Sequence, residues 1–267
     1  MKNKEQYKTA VILCGGRGTR LGLLGKKLPK TLIKVHKKPI IWYIIKILKK
    51  NSFNHFVLPM GYKGKMIQKY FKNNPDFKKY KIDLVRTGEN ASIANRIYKI
   101  RKNILSKNFI LLNGDAIFNF NLKKIFYRHL KKKSYITFIG SDAQLNYGIV
   151  GMEKNKLKTF DRETQFYAVK SKNKKNLTGY IYSGISIINN KVLNLNFKNC
   201  INFEKEFYPR IIKKYKAHFE SINGFWHSID NQKDIEFLHS EENKFKYKQI
   251  KKIKKEIKLN EKKLLEK

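Results

Sequence analysis

The stretch VILCGGRGTR, residues 11–20, passes from a short apolar run directly into three glycines and two arginines. An apolar run that ends at glycine is typical of a buried strand followed by a tight turn. Glycines let a backbone approach a ligand closely, and successive backbone N–H groups and arginine side chains attract anions. The stretch therefore predicts an anion-binding loop at the end of a buried β-strand.

This loop follows neither of the two common phosphate-binding patterns. The sequence contains no G-x-x-x-x-G-K-[ST], and Leu21 stands where G-x-G-x-x-G requires its third glycine. Taken alone, the glycines are explained equally well by a tight turn between a strand and a helix.

Outward from the loop, the first half of the chain alternates strand-like and helix-like segments. Most of the strand-like segments are continuous apolar runs, and their alternation with helices indicates a mostly parallel sheet covered on both faces. Ligands of such sheets bind beyond the carboxyl ends of the strands, where GGRGTR and Asn113-Gly114-Asp115 both fall. We predict strands over 9–14, 55–60, 81–86, 108–115 and 134–141, and helices over 38–50, 63–71, 92–104 and 121–133.

After residue 145 the pattern changes to β segments with fewer helices between them. A helix is predicted over 203–215, and a strand over 217–230 ends at Asp230. The Lys/Glu-rich sequence that follows predicts a helix that frays toward its end. The fold class is thus α/β, a Rossmann-like doubly wound mixed sheet with a β-rich second half and a C-terminal helix. We divide it into a domain over 1–240 and a Lys-rich helical tail over 241–267.

The net charge is +40, from 60 basic and 20 acidic residues, and charge of this sign suggests nucleic acid, a membrane surface or an anionic substrate. Only eight of the basic residues are arginines, and Asn and Ile are also abundant, as expected for an AT-rich coding sequence. The lysines are spread over every predicted element. We therefore expect no specific nucleic-acid binding, although a basic nucleic-acid-binding protein remains the alternative outside the enzymes.

Other features narrow the class of protein. No apolar run reaches 18 residues, and the apolar run near Cys14 is too short for a signal peptide. Cys14 and Cys200 show no disulfide framework, and neither the cysteines nor the six histidines have metal-ligand spacing. We expect a cytoplasmic protein without a membrane partner, and leave homo-oligomerisation open.

Residues 15–43, GGRGTRLGLLGKKLPKTLIKVHKKPIIWY, resemble the signature of the sugar-phosphate nucleotidylyltransferases: G-G-x-G-T-R-L, then P-K, then K-P-[IL]. Further segments follow in the family's order, so the resemblance covers roughly residues 9–240. They are GYKGKMIQKYF (61–71), TGEN (87–90), NGD (113–115), YGIV (147–150), SGISII (183–188) and GFWHSID (224–230). Within the family, GYKG, TGE and GFW are most similar to the glucose-1-phosphate cytidylyltransferases of surface-polysaccharide pathways.

The resemblance implies a glycosyltransferase-A-like fold and a nucleotide site at the glycine loop. In that family Arg20 would clamp the β- and γ-phosphates, and Lys30 would reach the phosphates at the attacked centre. These two are the candidate catalytic residues. The candidate nucleotide-binding residues are Gly15, Gly16, Gly18, Thr19, Thr87, Gly88, Glu89 and Gly114.

Two carboxylates are candidate metal ligands. Asp115 and Asp230 each end an apolar strand, where a carboxylate is costly unless it binds a cation or caps a turn. Two such carboxylates can share one Mg²⁺, which takes few protein ligands, and the resemblance assigns them this role. For the sugar phosphate, FDRET stands where the family has E-K-P, with Arg162 keeping the positive charge. The candidate sugar-phosphate residues are Tyr147, Gly148, Asp161, Arg162, Ser183 and Gly184.

The expected reaction is transfer of a nucleoside monophosphate, with CTP as the expected donor, to a sugar 1-phosphate, giving a nucleotide-sugar and pyrophosphate. The helix start SIANRI lacks the glycines of the cytidylyltransferase form. A guanylyl-, uridylyl- or thymidylyltransferase, or a cytidylyltransferase for a non-sugar phosphate such as phosphocholine, therefore stays open. An inactive regulatory homologue is disfavoured, because Arg20, Lys30, Asp115 and Asp230 are all present.

Overall fold

The computed structural model describes residues 7–144, 149–153, 156–161, 165–166, 168–170, 176–240 and 244–265. The strands of its first half are β1 (Thr9–Leu13), β2 (Lys34–Val35), β3 (Lys38–Pro39), β4 (His55–Met60), β5 (Lys81–Arg86), β6 (Asn108–Asn113), β7 (Ala116–Phe120) and β8 (Ile136–Gln144). The later strands are β9 (Ile149–Glu153), β10 (Lys156–Asp161), β11 (Gln165–Phe166), β12 (Ala168–Lys170), β13 (Asn176–Thr178), β14 (Tyr180–Asn189), β15 (Ala217–Ser221) and β16 (Gly224–Ser228). The α-helices are α1 (Gly22–Lys27), α2 (Ile40–Lys50), α3 (Gly64–Asn73), α4 (Ile93–Ile100), α5 (Leu122–Lys131), α6 (Phe203–Lys214), α7 (Gln232–His239) and α8 (Lys244–Leu265).

The central sheet has eight strands in the order β11-β8-β14-β6-β1-β4-β5, with β15 paired to β8. The strands β6, β1, β4 and β5 run parallel to one another, whereas β14 is antiparallel to both β6 and β8. The sheet is therefore mixed, as predicted, with a parallel half that contains the glycine loop. The carboxyl ends of β1, β4 and β6 lie at one edge of it.

Two hydrophobic clusters confirm that the sheet is covered on both faces. Along β1, Ala10 and Ile12 belong to the cluster that contains α2, whereas Val11 belongs to the cluster that contains α4 and α6. Side chains alternate between the two faces of a strand, so an unbroken apolar run is the pattern of a strand buried on both sides. In β4 all six residues are buried.

Three segments differ from the sequence prediction. Lys38 and Pro39 pair with β2 in a small hairpin, so α2 begins at Ile40. The segment 217–230 forms two strands, because β15 joins the central sheet and β16 leaves it to pair with β7. The strand β7 follows Asp115 directly and was not predicted, since its partner lies about a hundred residues away along the chain.

The helix α8 continues to Leu265. Its isoleucines Ile250, Ile253 and Ile257 are buried in the cluster that contains α2. This packing supplies the stabilisation that the lysine-rich sequence lacks as an isolated helix. Among the described residues, none of the helices has the length and apolar character that crossing a membrane requires.

Candidate active site

The glycine loop forms one wall of a cavity at the carboxyl edge of the sheet. The cavity has a volume of about 400 Å³ and is lined by Cys14, Gly15 and Gly16 after β1, by Asn113, Gly114 and Asp115 after β6, and by Lys30 and Arg96. Gly18 has a φ of 62°, a left-handed conformation that favours glycine, and it begins the short 3₁₀ turn Thr19–Leu21. The loop thus turns sharply away from β1, and Gly16 is exposed at the opening.

One lysine and two carboxylates converge beside this cavity. Lys30 Nζ lies 2.8 Å from Asp115 Oδ2 and 2.9 Å from Asp230 Oδ1. The Lys30 side chain is only 16% exposed, while Asp115 and Asp230 are 26% and 43% exposed. The three groups form a half-buried cation–carboxylate cluster that an approaching nucleotide can still reach.

The ribbon of β7 and β16 brings the two carboxylates together. Ser228 pairs with Ala116 across it, and the Ile229 N–H donates to the Asp115 carbonyl oxygen at 2.9 Å. On the other side of Asp230, the capping box of α7 holds the chain. Asp234 Oδ2 accepts from the Asp230 backbone N–H at 2.6 Å, and α7 begins at Gln232, two residues after Asp230.

The carboxyl of Asp230 is kept ionised by its neighbours. Burial by itself raises its pKa, but hydrogen bonds from Ser228 and Lys30, with the charges of Lys30 and Arg20, outweigh burial and lower the pKa below its ordinary value. Two carboxylate oxygens that already share one cation are a donor set that suits Mg²⁺, which completes its coordination with phosphate and water. In the part of the chain that the structure describes, no group of three or more His, Cys, Asp or Glu side chains offers an alternative metal site.

The second candidate catalytic residue, Arg20, lies on the opening side of the cluster. Its side chain is 77% exposed, and its Nη1 is 3.6 Å from Asp230 Oδ1. An exposed guanidinium held loosely near a carboxylate can reorient toward the outer phosphates of a bound nucleotide. Thr19, the residue before it, is exposed as well.

Sequence reasoning missed a buried arginine, Arg96 of α4. Its guanidinium donates to Thr87 Oγ1 at 3.0 Å, to the Gly15 carbonyl at 3.2 Å and to the Glu89 carbonyl at 3.1 Å. A Cβ on Gly15 or Gly61 would come within about 2.1 Å of this guanidinium, so a side chain at either position would displace it. Burial lowers the pKa of Arg96. The sequence did contain a signal for Arg96. Arginine is rare in this lysine-rich chain, so an arginine in the helix that follows TGEN indicates a specific role at that position.

The loop Thr87-Gly88-Glu89 is tied to the glycine loop through this arginine. Thr87 is fully buried, and its hydroxyl donates to the Met60 carbonyl at 2.8 Å. Its side chain therefore supports Arg96 from behind, and Thr87, Gly88 and Glu89 are not among the residues that line the cavity. Gly88 has a φ of 104° and Glu89 is exposed. Gly114 donates its N–H to the Leu13 carbonyl at 3.1 Å, and a Cβ there would meet Leu13 O and the Thr31 methyl at 2.6 Å.

The candidate sugar-phosphate residues are only partly described. Tyr147, Gly148 and Arg162 lie outside the described residues, and Asp161 is described as the last residue of β10. Ser183 and Gly184 form an irregularity in β14 where it pairs with β8. Ser183 is buried and donates to the Ile139 carbonyl, while Gly184 has a φ of 74° and packs against Asn113, which lines the cavity.

The family model for nucleotidyl transferases matches residues 9–240, most of the chain. The chain belongs to this family. It is 30% identical over 246 residues to a probable glucose-1-phosphate cytidylyltransferase of Bacillus subtilis, covering 85% of this chain and 92% of that protein. It is 28% identical over 233 residues to the mannose-1-phosphate guanylyltransferase catalytic subunit beta of Xenopus tropicalis, covering 85% of this chain and 62% of that one.

Solved structures show the same fold at low sequence identity. HddC from Yersinia pseudotuberculosis, in complex with GMP-PN, has a TM-score of 0.62 at 22% identity, covering 86% of this chain and 96% of that one. A putative glucose-1-phosphate thymidylyltransferase from Bacillus anthracis has a TM-score of 0.63 at 16% identity, covering 86% and 92%. This chain thus has the fold of the family, and the family membership makes it a sugar-1-phosphate nucleotidylyltransferase.

Proposed function

We propose that this enzyme transfers CMP from CTP to a sugar 1-phosphate, with release of pyrophosphate, at the cluster of Lys30, Asp115 and Asp230. The observation that carries the proposal is the position of this cluster beside the cavity of the glycine loop. A phosphate oxygen of the acceptor attacks the α-phosphorus, the new P–O bond forms, and the bond to the bridging oxygen of pyrophosphate breaks. The attacking oxygen is already anionic, so no strong general base is required.

Catalysis of this kind consists of positioning and charge neutralisation. Backbone N–H groups of Gly15, Gly16 and Gly18 approach the nucleotide, and Arg20 holds the departing phosphates. Lys30 neutralises charge at the attacked phosphate once the nucleotide has entered. Asp115 and Asp230 would hold Mg²⁺, which supplies Lewis-acid activation and a template for the phosphate groups.

The choice of CTP rests on two supports. One is the relative from Bacillus subtilis, whose name gives a cytidylyltransferase. The other is Arg96, which lines the cavity and uses three of its five N–H donors on protein oxygens. One of the donors that remain can bind N3 of cytosine, which is an acceptor, whereas uracil and thymine present an N–H at position 3.

A guanylyltransferase is the second candidate, because the same observation is compatible with it. Guanine presents O6 and N7 as acceptors, and either can accept from a remaining donor of Arg96. Relatives and structural neighbours of this chain include a mannose-1-phosphate guanylyltransferase subunit and a protein crystallised with GMP-PN.

The nucleotide-sugar product would be used to synthesise surface polysaccharide, and the enzyme itself would act in the cytoplasm. The resemblance of GYKG, TGE and GFW to glucose-1-phosphate cytidylyltransferases supports the first part. The second is in keeping with two free, buried cysteines, Cys14 and Cys200. Burial raises the pKa of Cys14 far above its ordinary range, which makes its thiol unreactive.

The proposal is tested by a grid of the four nucleoside triphosphates against several sugar 1-phosphates with Mg²⁺, read by pyrophosphate release. We expect the highest kcat/KM with CTP. A higher value with GTP would select the second candidate, and a higher value with UTP or dTTP would remove the argument from Arg96. No release in any combination would overturn the proposed reaction.

A matched pair of variants locates the reaction. Lys30→Gln should lower kcat/KM by about a hundredfold or more, because it removes a charge at the attacked phosphate. Lys26→Gln, an exposed lysine of α1, should change it less than about twofold. Equal effects of the two substitutions would contradict the assignment of Lys30.

A further inference from the structure

The outward face of α8 carries a continuous row of lysines. Six exposed lysines follow a helical spacing of three or four residues, so they share one face over about 21 Å. We call these residues the α8 lysine row: Lys244, Lys248, Lys251, Lys252, Lys255 and Lys258. The buried residues Ile250, Ile253 and Ile257 lie on the opposite face.

The acidic residues of α8 turn away from this row. Glu256 accepts from Lys50 Nζ at 2.5 Å, and Glu261 lies 2.5 Å from Lys46 Nζ, so both carboxylates are paired with α2. The sequence of α8 suggests mixed charge, whereas within its described residues the fold places both carboxylates against the body. The α8 lysine row is therefore a face of a single charge.

Two apolar side chains accompany the row. Leu259 is 51% exposed and lies four residues after Lys255, on the same side of the helix and just past the last lysine of the row. Phe245 is 67% exposed and lies seven residues before Lys252, two turns along the same side. Lysines that flank exposed apolar side chains suit a lipid interface, where the apolar groups enter and the ammonium groups remain among the headgroups.

We propose that the α8 lysine row docks this enzyme on an anionic lipid surface. Lysine-rich helical faces are attracted to anionic headgroups, and the attraction falls off within a Debye length. Nucleic acid is the less suitable partner, because α8 contains no arginine for bidentate phosphate contacts and exposes aliphatic Leu259 next to Lys258. The sequence alone predicts no membrane partner, whereas this proposal gives the enzyme peripheral contact with a membrane surface.

The test is co-sedimentation with vesicles of phosphatidylcholine alone or with about one-third phosphatidylglycerol, at ~0.15 M salt. The test variant carries Lys248→Gln, Lys252→Gln, Lys255→Gln and Lys258→Gln. The charge-matched control carries Lys102→Gln, Lys131→Gln, Lys205→Gln and Lys213→Gln, four exposed lysines on other elements. We expect wild type and control to bind the anionic vesicles alone, and the test variant to bind at least about tenfold more weakly.

Several outcomes would overturn the proposal. They are no binding of wild type to anionic vesicles, equal losses in the test variant and the control, and loss of duplex DNA or RNA binding in the test variant with unchanged vesicle binding. A far-ultraviolet circular dichroism spectrum and pyrophosphate release in vesicle-free solution check that the test variant is folded. Phe245→Ser supplies a second readout, which we expect to weaken vesicle binding by about threefold at unchanged charge.

Discussion

Positive charge has different partners in the nucleotide cavity and along the α8 lysine row. In the cavity, Lys30 lies between two carboxylates, and Arg96 donates to three protein oxygens. On α8 the lysines of the row face outward, while Glu256 and Glu261 face the body. The net charge of +40 therefore combines two groups of basic residues with different surroundings. The partners around each cation, and not their total, indicate what the cation does.

The largest effect is expected at the two carboxylates of the cavity. Asp115→Asn and Asp230→Asn should each lower kcat by about a thousandfold or more, because each removes a negative charge that the proposed reaction requires for binding Mg²⁺. Circular dichroism should be unchanged. Asp142→Asn, at an exposed position of β8, is the control and should retain activity. A variant at either site carboxylate that keeps near-wild-type turnover at saturating Mg²⁺ would remove that residue from the site.

A buried histidine, His129, contrasts with Lys30, because its hydrogen-bond partners are neutral side chains and not carboxylates. Burial, with the nearby His218, lowers the pKa of His129 from 6.5 to about 4, and its ring nitrogens face Thr137 and Asn108. The unfolded chain therefore binds this proton more readily than the folded chain, so the stability is fully present above pH 6.5 and is lost as the pH falls toward 4.

This loss should reach roughly 3 kcal/mol of unfolding free energy between pH 7 and pH 4. Urea unfolding at the two pH values measures it. His129→Gln should flatten the pH dependence by most of that amount, and His239→Gln, an exposed residue, should leave it as in wild type. If the two variants share the wild-type slope, other groups account for the acid sensitivity.

Substitution of Arg96 tests whether this arginine binds the nucleotide specifically or only adds positive charge. Arg96→Met should raise KM for the nucleotide by about tenfold to thirtyfold, and should lower Tm because Thr87 Oγ1 and the buried Gly15 carbonyl lose their donor. Arg101→Met is the matched control, since Arg101 stacks on Tyr98 outside the cavity lining. A change in kcat without a change in KM would argue against contact between Arg96 and the nucleotide.

Binding to DNA should be the smallest effect. The dispersed lysines should give weak binding that salt removes, because each phosphate contact releases a counterion. Titration of a labelled duplex at two salt concentrations should give a Kd above ~1 μM at ~0.15 M salt, without sequence preference. A sub-micromolar Kd that persists at this salt concentration, or a strong preference for one sequence, would contradict the account of the lysines.

Local sequence predicted the parallel half of the fold well. The apolar runs around Val11, Val57 and Leu111 form neighbouring strands of the sheet. A continuous apolar run is typical of a strand that is buried on both faces, and it is recognised without information from elsewhere in the chain. The pairing of β7 with β16 could not be predicted in the same way, because it joins segments about a hundred residues apart. Such pairings depend on tertiary packing.

The candidate site was predictable in its composition and not in its arrangement. The glycine loop, Lys30, Asp115 and Asp230 follow from motif and family resemblance. The position of Lys30 between the two carboxylates follows from the β7–β16 ribbon, which joins distant parts of the chain, with local support from the capping box at Asn231 and Asp234. The same limit applies to α8, whose inward carboxylates depend on lysines of α2.

The central claim is that the cluster of Lys30, Asp115 and Asp230 supports attack of a sugar 1-phosphate on the α-phosphorus of a nucleoside triphosphate. It is tested most directly by incubating the enzyme with glucose 1-phosphate, Mg²⁺ and CTP labelled at either the α- or the γ-phosphate. The account predicts that the α-label appears in a nucleotide-sugar and the γ-label in pyrophosphate, and that Lys30→Gln suppresses both while Lys26→Gln does not. Release of the γ-label as inorganic phosphate, or turnover that survives in Lys30→Gln, would contradict it.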